Sequence, residues 1–193
     1  MIVGMKKAIV PVLFGIMAGF LATYLLVRDR DMGPLLIRGI ADNSTPTAPG
    51  EGFEEERAMI TELEIRLAQN PQDLTLLSDI ANLYFSVQDF PSAIAYYQRA
   101  VDISPDDANL ITDMGTALYY SDRSGEALAE FERSLELDPA HPQTLFNLGV
   151  VLLETEDDIE GAIAAWQSLI DLNPGYAQNA MVQGEIDRLR NPQ

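Results

Sequence analysis

The chain contains no cysteine, one histidine and one tryptophan in its 193 residues. Without cysteine it can form no disulfide, thiolate nucleophile, thiolate metal site or Cys-x-x-Cys-His haem attachment. A glycine-rich phosphate loop and zinc-type ligand spacing are also missing. The lack of cysteine is compatible with an oxidising or a reducing compartment, so the location stays open. These absences leave few routes to catalysis.

Basic residues are scarce, and the formal net charge is −18. The only lysines are Lys6 and Lys7, and from residue 51 onward 27 acidic residues stand against seven arginines, a net charge of −20. Nucleic acid and anionic lipid would be repelled by such a surface. Two explanations stay open, a solvated charged face and a preference for basic or neutral partners.

The remaining polar residues favour structural roles over chemistry. His141 stands beside Pro142 in a predicted turn, where capping or solvation explains it better than catalysis. The pairs Asp106-Asp107 and Asp157-Asp158 stand at predicted helix starts, where carboxylates bind free backbone amides. We therefore predict no catalytic residue, no metal site, no cofactor and no enzymatic activity.

A period of about 34 residues organises the second two-thirds of the chain. Pro71, Pro105, Pro139 and Pro174 are separated by 34, 34 and 35 residues. Because proline and the residue before it leave the helical conformation, each proline predicts a helix end. A fixed period in this range is typical of stacked helical hairpins.

Three further sets of residues recur with the same period. They are small residues where two helices would cross, alanines in the second helix, and rings that would fill the seam: Ala81, Gly115, Gly149; Ala93, Ala127, Ala162; and Tyr97, Phe131, Trp166. The one-residue excess in the last spacing lies between Gly149 and Ala162. We expect an acidic, solvated turn to absorb it.

This pattern resembles the tetratricopeptide repeat over three full repeats, from about Leu74 to Pro174. Ile80-Ala81, Met114-Gly115 and Leu148-Gly149 match the consensus Leu-Gly/Ala pair. The chain departs from the consensus in having Leu118 and Leu152 in place of tyrosine, and Ser134 and Leu169 in place of alanine. The resemblance implies an all-α solenoid of helical hairpins.

In that family the first helix of each hairpin lines a groove that binds protein partners. The resemblance therefore implies sixteen groove residues, which are Thr75, Ser78, Asp79, Asn82, Phe85, Asn109, Thr112, Asp113, Thr116, Tyr119, Tyr120, Gln143, Phe146, Asn147, Val150 and Leu153. Relatives that clamp acidic chaperone tails have lysine or arginine at the positions of Ser78, Gln143 and Asn147, and asparagine at that of Asp113. Without those cations, binding of a chaperone tail is not expected.

A membrane anchor is predicted at residues 8–27, which form an uncharged run of twenty residues. That length crosses a hydrocarbon core of roughly 30 Å as a helix. Within it Gly15 and Gly19 form a Gly-x-x-x-Gly pair, with Ala18 and Ala22 beside it. Two explanations stay open, close contact with a second membrane helix and the general frequency of glycine in membrane helices. The basic head before the run favours repeats on the periplasmic or extracytoplasmic side of the inner membrane.

The sequence therefore predicts six segments. They are a basic tail (1–7), a transmembrane anchor (8–27), a flexible linker (28–52), an amino-terminal capping helix (53–70), three repeats (71–174) and a carboxy-terminal capping helix (175–193). Ile60, Leu63 and Leu67 form the apolar stripe of the first cap, and Val182, Ile186 and Leu189 that of the second.

Three functional hypotheses fit these segments. The first is a non-catalytic scaffold, tethered to the membrane, that organises a protein partner. The second is an assembly factor resembling the tetratricopeptide proteins of cytochrome c maturation, because Leu63–Pro71 is similar to the helix that enters their repeats. The third is a structural accessory subunit of a membrane enzyme complex, bound through its membrane helix.

Overall fold

The computed structural model describes residues 53–191, and every regular element in that range is an α-helix. The described range contains eight helices, with the following bounds: α1 Glu54–Gln69, α2 Leu74–Ser86, α3 Phe90–Ile103, α4 Ala108–Tyr120, α5 Ser124–Leu137, α6 Pro142–Thr155, α7 Ile159–Leu172 and α8 Asn179–Arg190. The predicted tail, anchor and linker lie outside the described residues. Between residues 53 and 191 no helix has the length and apolar character needed to cross a membrane.

Six of the helices form three hairpins, α2 with α3, α4 with α5, and α6 with α7. Each hairpin packs on the next, while α1 packs on α2 and α8 packs on α7. The stripes Ile60, Leu63, Leu67 and Val182, Ile186 are buried in these end contacts. The fold is an all-α solenoid of the tetratricopeptide type, in which each unit is stabilised by its sequence neighbours.

Helix boundaries follow from local chemistry. The helices α1, α3, α5 and α7 each end two residues before one of the periodic prolines. The carboxylates of Asp73, Asp89, Asp107 and Asp158 accept hydrogen bonds from the first free amides of α2, α3, α4 and α7. His141 does the same for α6, because its Nδ1 accepts from the Thr144 amide at 3.3 Å. The histidine is thus a capping residue, as predicted.

The extra residue of the third repeat lies at the end of α6. The turns inside the hairpins each contain one residue with positive φ, which is Gln88, Asp122 or Asp157. In the first two turns the next amide donates to a carbonyl five residues earlier, whereas the Asp158 amide donates to the Leu152 carbonyl, six residues earlier. Helix α6 is accordingly one residue longer than α2 or α4. The insertion is thus absorbed by helix and turn together.

The carboxy-terminal helix begins at Asn179, whereas the sequence predicts the capping helix from residue 175. The Asn179 side chain donates to the Asn173 carbonyl at 2.6 Å, and the Tyr176 amide donates to the same carbonyl at 3.0 Å. These bonds hold residues 173–178 in consecutive turns after α7. The helix therefore starts only after the turns have closed.

A ring packed against a glycine holds the second and the third hairpin together. Phe131 and Trp166 are buried, and each covers the glycine of its own first helix. A Cβ placed on Gly115 would lie 2.7 Å from Phe131 Cε1, and one on Gly149 would lie 2.3 Å from Trp166 Nε1. Trp166 Nε1 also donates to the Phe146 carbonyl at 3.0 Å. Only a residue without a side chain leaves room for these rings.

The seam between the second and third hairpins contains a buried hydroxyl network. Thr112 Oγ1 lies 2.6 Å from Thr144 Oγ1 and 2.9 Å from Ser134 Oγ, and the last two oxygens are 3.0 Å apart. Ser134 stands where the repeat consensus has alanine. Its hydroxyl explains that departure, because it joins α5 to both neighbouring first helices.

The contact between Trp166 and Gly149 gives a prediction about stability. Trp166→Ala should lower the free energy of unfolding by roughly 3–5 kcal/mol, because it empties a packed site. Gly149→Ala should destabilise the native chain, but should be neutral or stabilising when Trp166 is also alanine. Urea denaturation of both single variants and the double variant measures this coupling.

Gly184→Ala is the matched control, since a Cβ at Gly184 in α8 would meet nothing within 4 Å. There the gain in helix propensity should be roughly 1 kcal/mol with or without Trp166. Additive effects of the Gly149 and Trp166 changes would contradict the packing described.

Candidate protein-binding surface

The sixteen predicted groove residues fall into three groups by burial. The exposed ones are Thr75, Asp79, Asn82, Asn109 and Gln143; the half-buried ones are Ser78, Phe85, Asp113, Tyr119, Tyr120 and Leu153; the buried ones are Thr112, Thr116, Phe146, Asn147 and Val150. We call the first two groups, on α2, α4 and α6, the groove surface. These eleven residues remain candidates for partner contact.

The five buried residues cannot contact a partner in this conformation, so their assignment to the groove is corrected. Thr112 belongs to the hydroxyl network, and Asn147 Nδ2 donates to Thr116 Oγ1 at 2.9 Å. Phe146 and Val150 are buried apolar residues. For Thr112, Thr116 and Asn147 the physical reason is the close approach of α4 and α6, which are joined by hydrogen bonds of these side chains.

The groove surface is anionic. Helices α2, α4 and α6 contain no lysine or arginine, but each contains one acid, which is Asp79, Asp113 or Glu154. The arginines Arg99 and Arg133 belong to the second helices α3 and α5. Arg99 donates to the Pro71 carbonyl at 3.3 Å, and Arg133 donates to the Pro105 carbonyl at 2.8 Å. The surface can therefore attract cationic groups and has no cation for an anionic ligand.

Asp113 occupies the middle of the groove surface in a desolvated position. Burial, with a smaller contribution from the charge of Asp107, raises the pKa of Asp113 to about 6. No hydrogen bond to its carboxylate is found within residues 53–191. The pKa of the nearby Tyr97 hydroxyl is raised by burial and, to a smaller extent, by the charge of Asp113. An acid held at a cost in this way is typical of a functional position.

A second feature of the surface is an aromatic cluster, formed by Phe85, Phe90, Tyr119 and Tyr120 where α2 and α4 end. The Phe90 and Tyr120 rings are stacked with centroids 5.3 Å apart, and Phe85 meets each of them edge-on at 5.4 Å. Tyr119 contacts Tyr120 at 5.4 Å. Three of these residues are among the predicted groove positions, but Phe90 is not, because it belongs to a second helix.

Glu154 of α6 lies against this cluster and was also missed. The Tyr119 hydroxyl donates to Glu154 Oε2. The other carboxylate oxygen, Oε1, is shielded from solvent and has no hydrogen-bond partner within the described residues. Burial raises the pKa of Glu154, and the hydrogen bond from Tyr119 opposes that shift. The 34-residue period could have revealed this acid, since Tyr120 precedes it by one period.

No metal-binding cluster was found: within residues 53–191 no three His, Cys, Asp or Glu side chains stand together in a way that could hold an ion. The predicted membrane-contact residues Gly15, Ala18, Gly19 and Ala22 lie outside the described residues. The groove surface and its aromatic cluster are thus the features that bear on function.

Comparison with known proteins identifies the repeats. Two family models, both described as tetratricopeptide repeat, match residues 80–146 and 143–176. Residues 80–176 of the chain are therefore tetratricopeptide repeats, which confirms the resemblance seen in the sequence. Among curated proteins, none matches the chain.

Solved structures share the fold at low sequence identity. The crystal structure of MamA has a TM-score of 0.58 and 17% identity, covering 74% of this chain and 91% of its own. MamA 41-end from Desulfovibrio magneticus RS-1 has a TM-score of 0.59 and 15% identity, covering 64% and 69%. The first TPR of Spaghetti (RPAP3), bound to the HSP90 peptide SRMEEVD, has a TM-score of 0.55 and 18% identity, covering 62% and 91%. At these identities the likeness shows the fold alone.

The position of Asp113 predicts how stability depends on pH. The pKa of Asp113 is 3.8 in the unfolded chain and about 6 in the folded chain. Protonated Asp113 therefore contributes fully to the free energy of unfolding below pH 3.8, and this contribution is lost as the pH rises through 6. A shift of this size corresponds to roughly 2–3 kcal/mol. Asp113→Asn should therefore be more stable than the native chain at neutral pH.

Urea denaturation at a mildly acidic and a neutral pH measures this effect. The advantage of Asp113→Asn should shrink as the pH falls through 6 towards 5. Asp79→Asn, at the exposed equivalent position one repeat earlier, should change stability little at either pH. An equal advantage of Asp113→Asn at both pH values would contradict the desolvation described.

Proposed function

We propose that this chain is a non-catalytic scaffold, tethered to the membrane, that binds a protein partner on the groove surface of α2, α4 and α6. The observation that carries the proposal is the combination of a tetratricopeptide solenoid with a half-buried, energetically costly acid, Asp113, in the middle of that surface. Catalysis needs a positioned base or nucleophile, whereas a groove of this kind can bind an extended or helical segment through hydrogen bonds and apolar contacts.

The partner segment is basic or neutral. The RPAP3 structure contains the peptide SRMEEVD, which has three acidic residues. This chain has Ser78, Gln143 and Asn147 where relatives that clamp such tails have cations, and Asn147 is buried. An acidic peptide would thus meet Asp79 and Asp113 with no compensating charge. Electrostatic complementarity favours a positive segment.

Charge-matched peptides test this preference directly. A lysine- or arginine-containing peptide should bind at least about fivefold more tightly than its glutamate counterpart at low salt, a difference of roughly 1 kcal/mol. The difference should shrink as ionic strength rises, because salt screens exposed charges. Titration by fluorescence anisotropy measures both effects, and tighter binding of the acidic peptide would refute the preference.

A matched pair of double variants separates the groove from the overall charge. Asp79→Asn with Asp113→Asn removes two charges from the groove surface. Asp102→Asn with Asp171→Asn removes two from the second helices α3 and α7, where both acids are exposed and accept from a glutamine four residues earlier. Only the first pair should weaken binding of the cationic peptide.

The membrane tether rests on residues 8–27, whose length and lack of charge fit a spanning helix. We propose that the repeats lie on the extracytoplasmic side of the inner membrane and hold the partner beside the bilayer. Deleting residues 8–27 should move the protein from the membrane fraction, resistant to alkaline carbonate, into the soluble fraction. Alkaline phosphatase fused after Gln193 should be active, and an inactive fusion would reverse the orientation.

The pair Gly15 and Gly19 is the proposed contact with an integral membrane partner. Replacing both with isoleucine should release that partner on co-purification while the protein stays in the membrane. An unchanged set of co-purified proteins would make the helix a passive tether. The identity of those proteins also separates the three hypotheses. An apocytochrome would support the assembly factor, a stoichiometric enzyme complex would support the accessory subunit, and changing clients would support the scaffold.

A further inference from the structure

We propose that the aromatic cluster and Glu154 form a subsite that binds one arginine side chain of the partner. This inference rests on the proposed function, because it names the chemistry by which the groove surface would recognise its partner. The subsite would be built from three repeats: Phe85 and Phe90 come from the first, Tyr119 and Tyr120 from the second, and Glu154 from the third.

The rings offer a surface that attracts cations. The four side chains are half-buried, so part of each stays open to solvent. Ring faces carry negative charge density, and guanidinium groups stack on them favourably. A flat, weakly hydrated cation suits such a surface better than a compact ammonium group, which favours arginine over lysine.

Glu154 supplies the charge that a guanidinium group would pair with. Its Oε2 accepts from the Tyr119 hydroxyl, while Oε1 lacks a donor in the described part of the chain. A shielded carboxylate oxygen without a donor is costly. Glu154 is also the penultimate residue of α6, where the helix dipole disfavours a negative charge. A guanidinium charge bound beside the carboxylate would offset both costs. Donation to Oε1 itself would also require a small movement of the Glu154 side chain or its neighbours, because that oxygen is shielded from solvent.

An equivalent cluster of tyrosines and a glutamate elsewhere in the chain already contains an arginine. Tyr84 and Tyr96 are stacked with centroids 5.5 Å apart, and both hydroxyls donate to Glu64 Oε1, at 2.8 and 2.7 Å. The guanidinium of Arg99 lies 5.2 Å from the Tyr96 centroid. Stacked rings, a tyrosine bonded to a glutamate and an arginine thus form one unit in this fold.

At the second cluster the first two components are present, but the helices that frame the groove surface supply no arginine. Phe90 and Tyr120 are stacked, and Tyr119 bonds to Glu154, whereas α2, α4 and α6 carry no basic residue. Arg123, the nearest arginine along the chain, is paired with Glu126 through two bonds of 2.7 Å. Within residues 53–191 no arginine stacks on these rings, and we expect the partner to supply the cation.

A pair of probe peptides tests the subsite on the full-length protein in detergent. One is a nine-residue glycine-serine peptide with a central arginine, and the other has citrulline, which has the same shape but no charge. The arginine peptide should bind roughly tenfold more tightly, as expected for a hydrogen-bonded charge pair. Fluorescence anisotropy gives the dissociation constant of each peptide. Because the two peptides differ only at the central residue, the ratio of the constants reports on that residue alone.

Two glutamate variants decide where that preference arises. Glu154→Gln can still accept from Tyr119 but lacks the charge, so the ratio should fall to about twofold or less, as one charge-assisted pair is lost. Glu156→Gln makes the same change at an exposed position two residues later and should keep the ratio. Tyr120→Leu should lower the ratio by roughly two- to fivefold, because it removes one ring face.

The proposal is overturned if Glu154→Gln keeps the ratio, or if Glu156→Gln lowers it equally. A loss of stability in Glu154→Gln with an unchanged ratio would make the bond from Tyr119 purely structural. Failure of the subsite remains distinct from failure of the proposed function. If the arginine peptide still binds but responds only to Asp113→Asn, the groove keeps its function and the subsite is wrong; if neither peptide binds, the basic preference of the groove is wrong as well.

Discussion

The rest of the structure depends on the contact, seen in the second and third hairpins, between the ring of the second helix and the glycine of the first. Phe131 and Trp166 occupy space that a side chain at Gly115 or Gly149 would fill. This contact sets how closely the two helices approach, and therefore which side chains of α2, α4 and α6 face the neighbouring hairpin and which face outward. The groove surface is the part of these helices that the packing leaves uncovered.

Two acids on the outward face of α4 and α6 are held in positions that cost free energy, and the packing of the helices does not require an acid there. Asp113 is kept desolvated without a hydrogen bond inside the described range, and Glu154 has a shielded oxygen without a donor. The buried hydroxyl groups of the seam differ, since those of Thr112, Ser134 and Thr144 satisfy one another. A polar group that is paired stabilises the fold, whereas one that is held unpaired at a surface favours a ligand. Among the described acids, Asp113 and Glu154 are the two that we assign to ligand binding on this basis.

The sequence predicted the fold well because proline, small residues and rings act locally and repeat. Helix ends and hairpin pairing follow from those residues, and the two end helices follow from their apolar stripes. The candidate site was predicted less completely, because burial depends on how closely neighbouring first helices approach. Asn147 and Val150 match the family's groove positions but are buried, and Asn147 donates to Thr116 of α4. The cluster joining Phe90 to Tyr120, and its contact with Glu154, unites residues far apart in sequence, which no single repeat reveals.

The central claim is that the outward face of α2, α4 and α6 recognises a basic protein segment. The most direct measurement is residue-by-residue NMR mapping of the ¹⁵N-labelled protein during titration with the arginine peptide. The account predicts that the largest shift changes occur in these three helices, around Asp113, Tyr120 and Glu154. Changes centred on α3, α5 and α7, or spread evenly over the acidic surface, would contradict it.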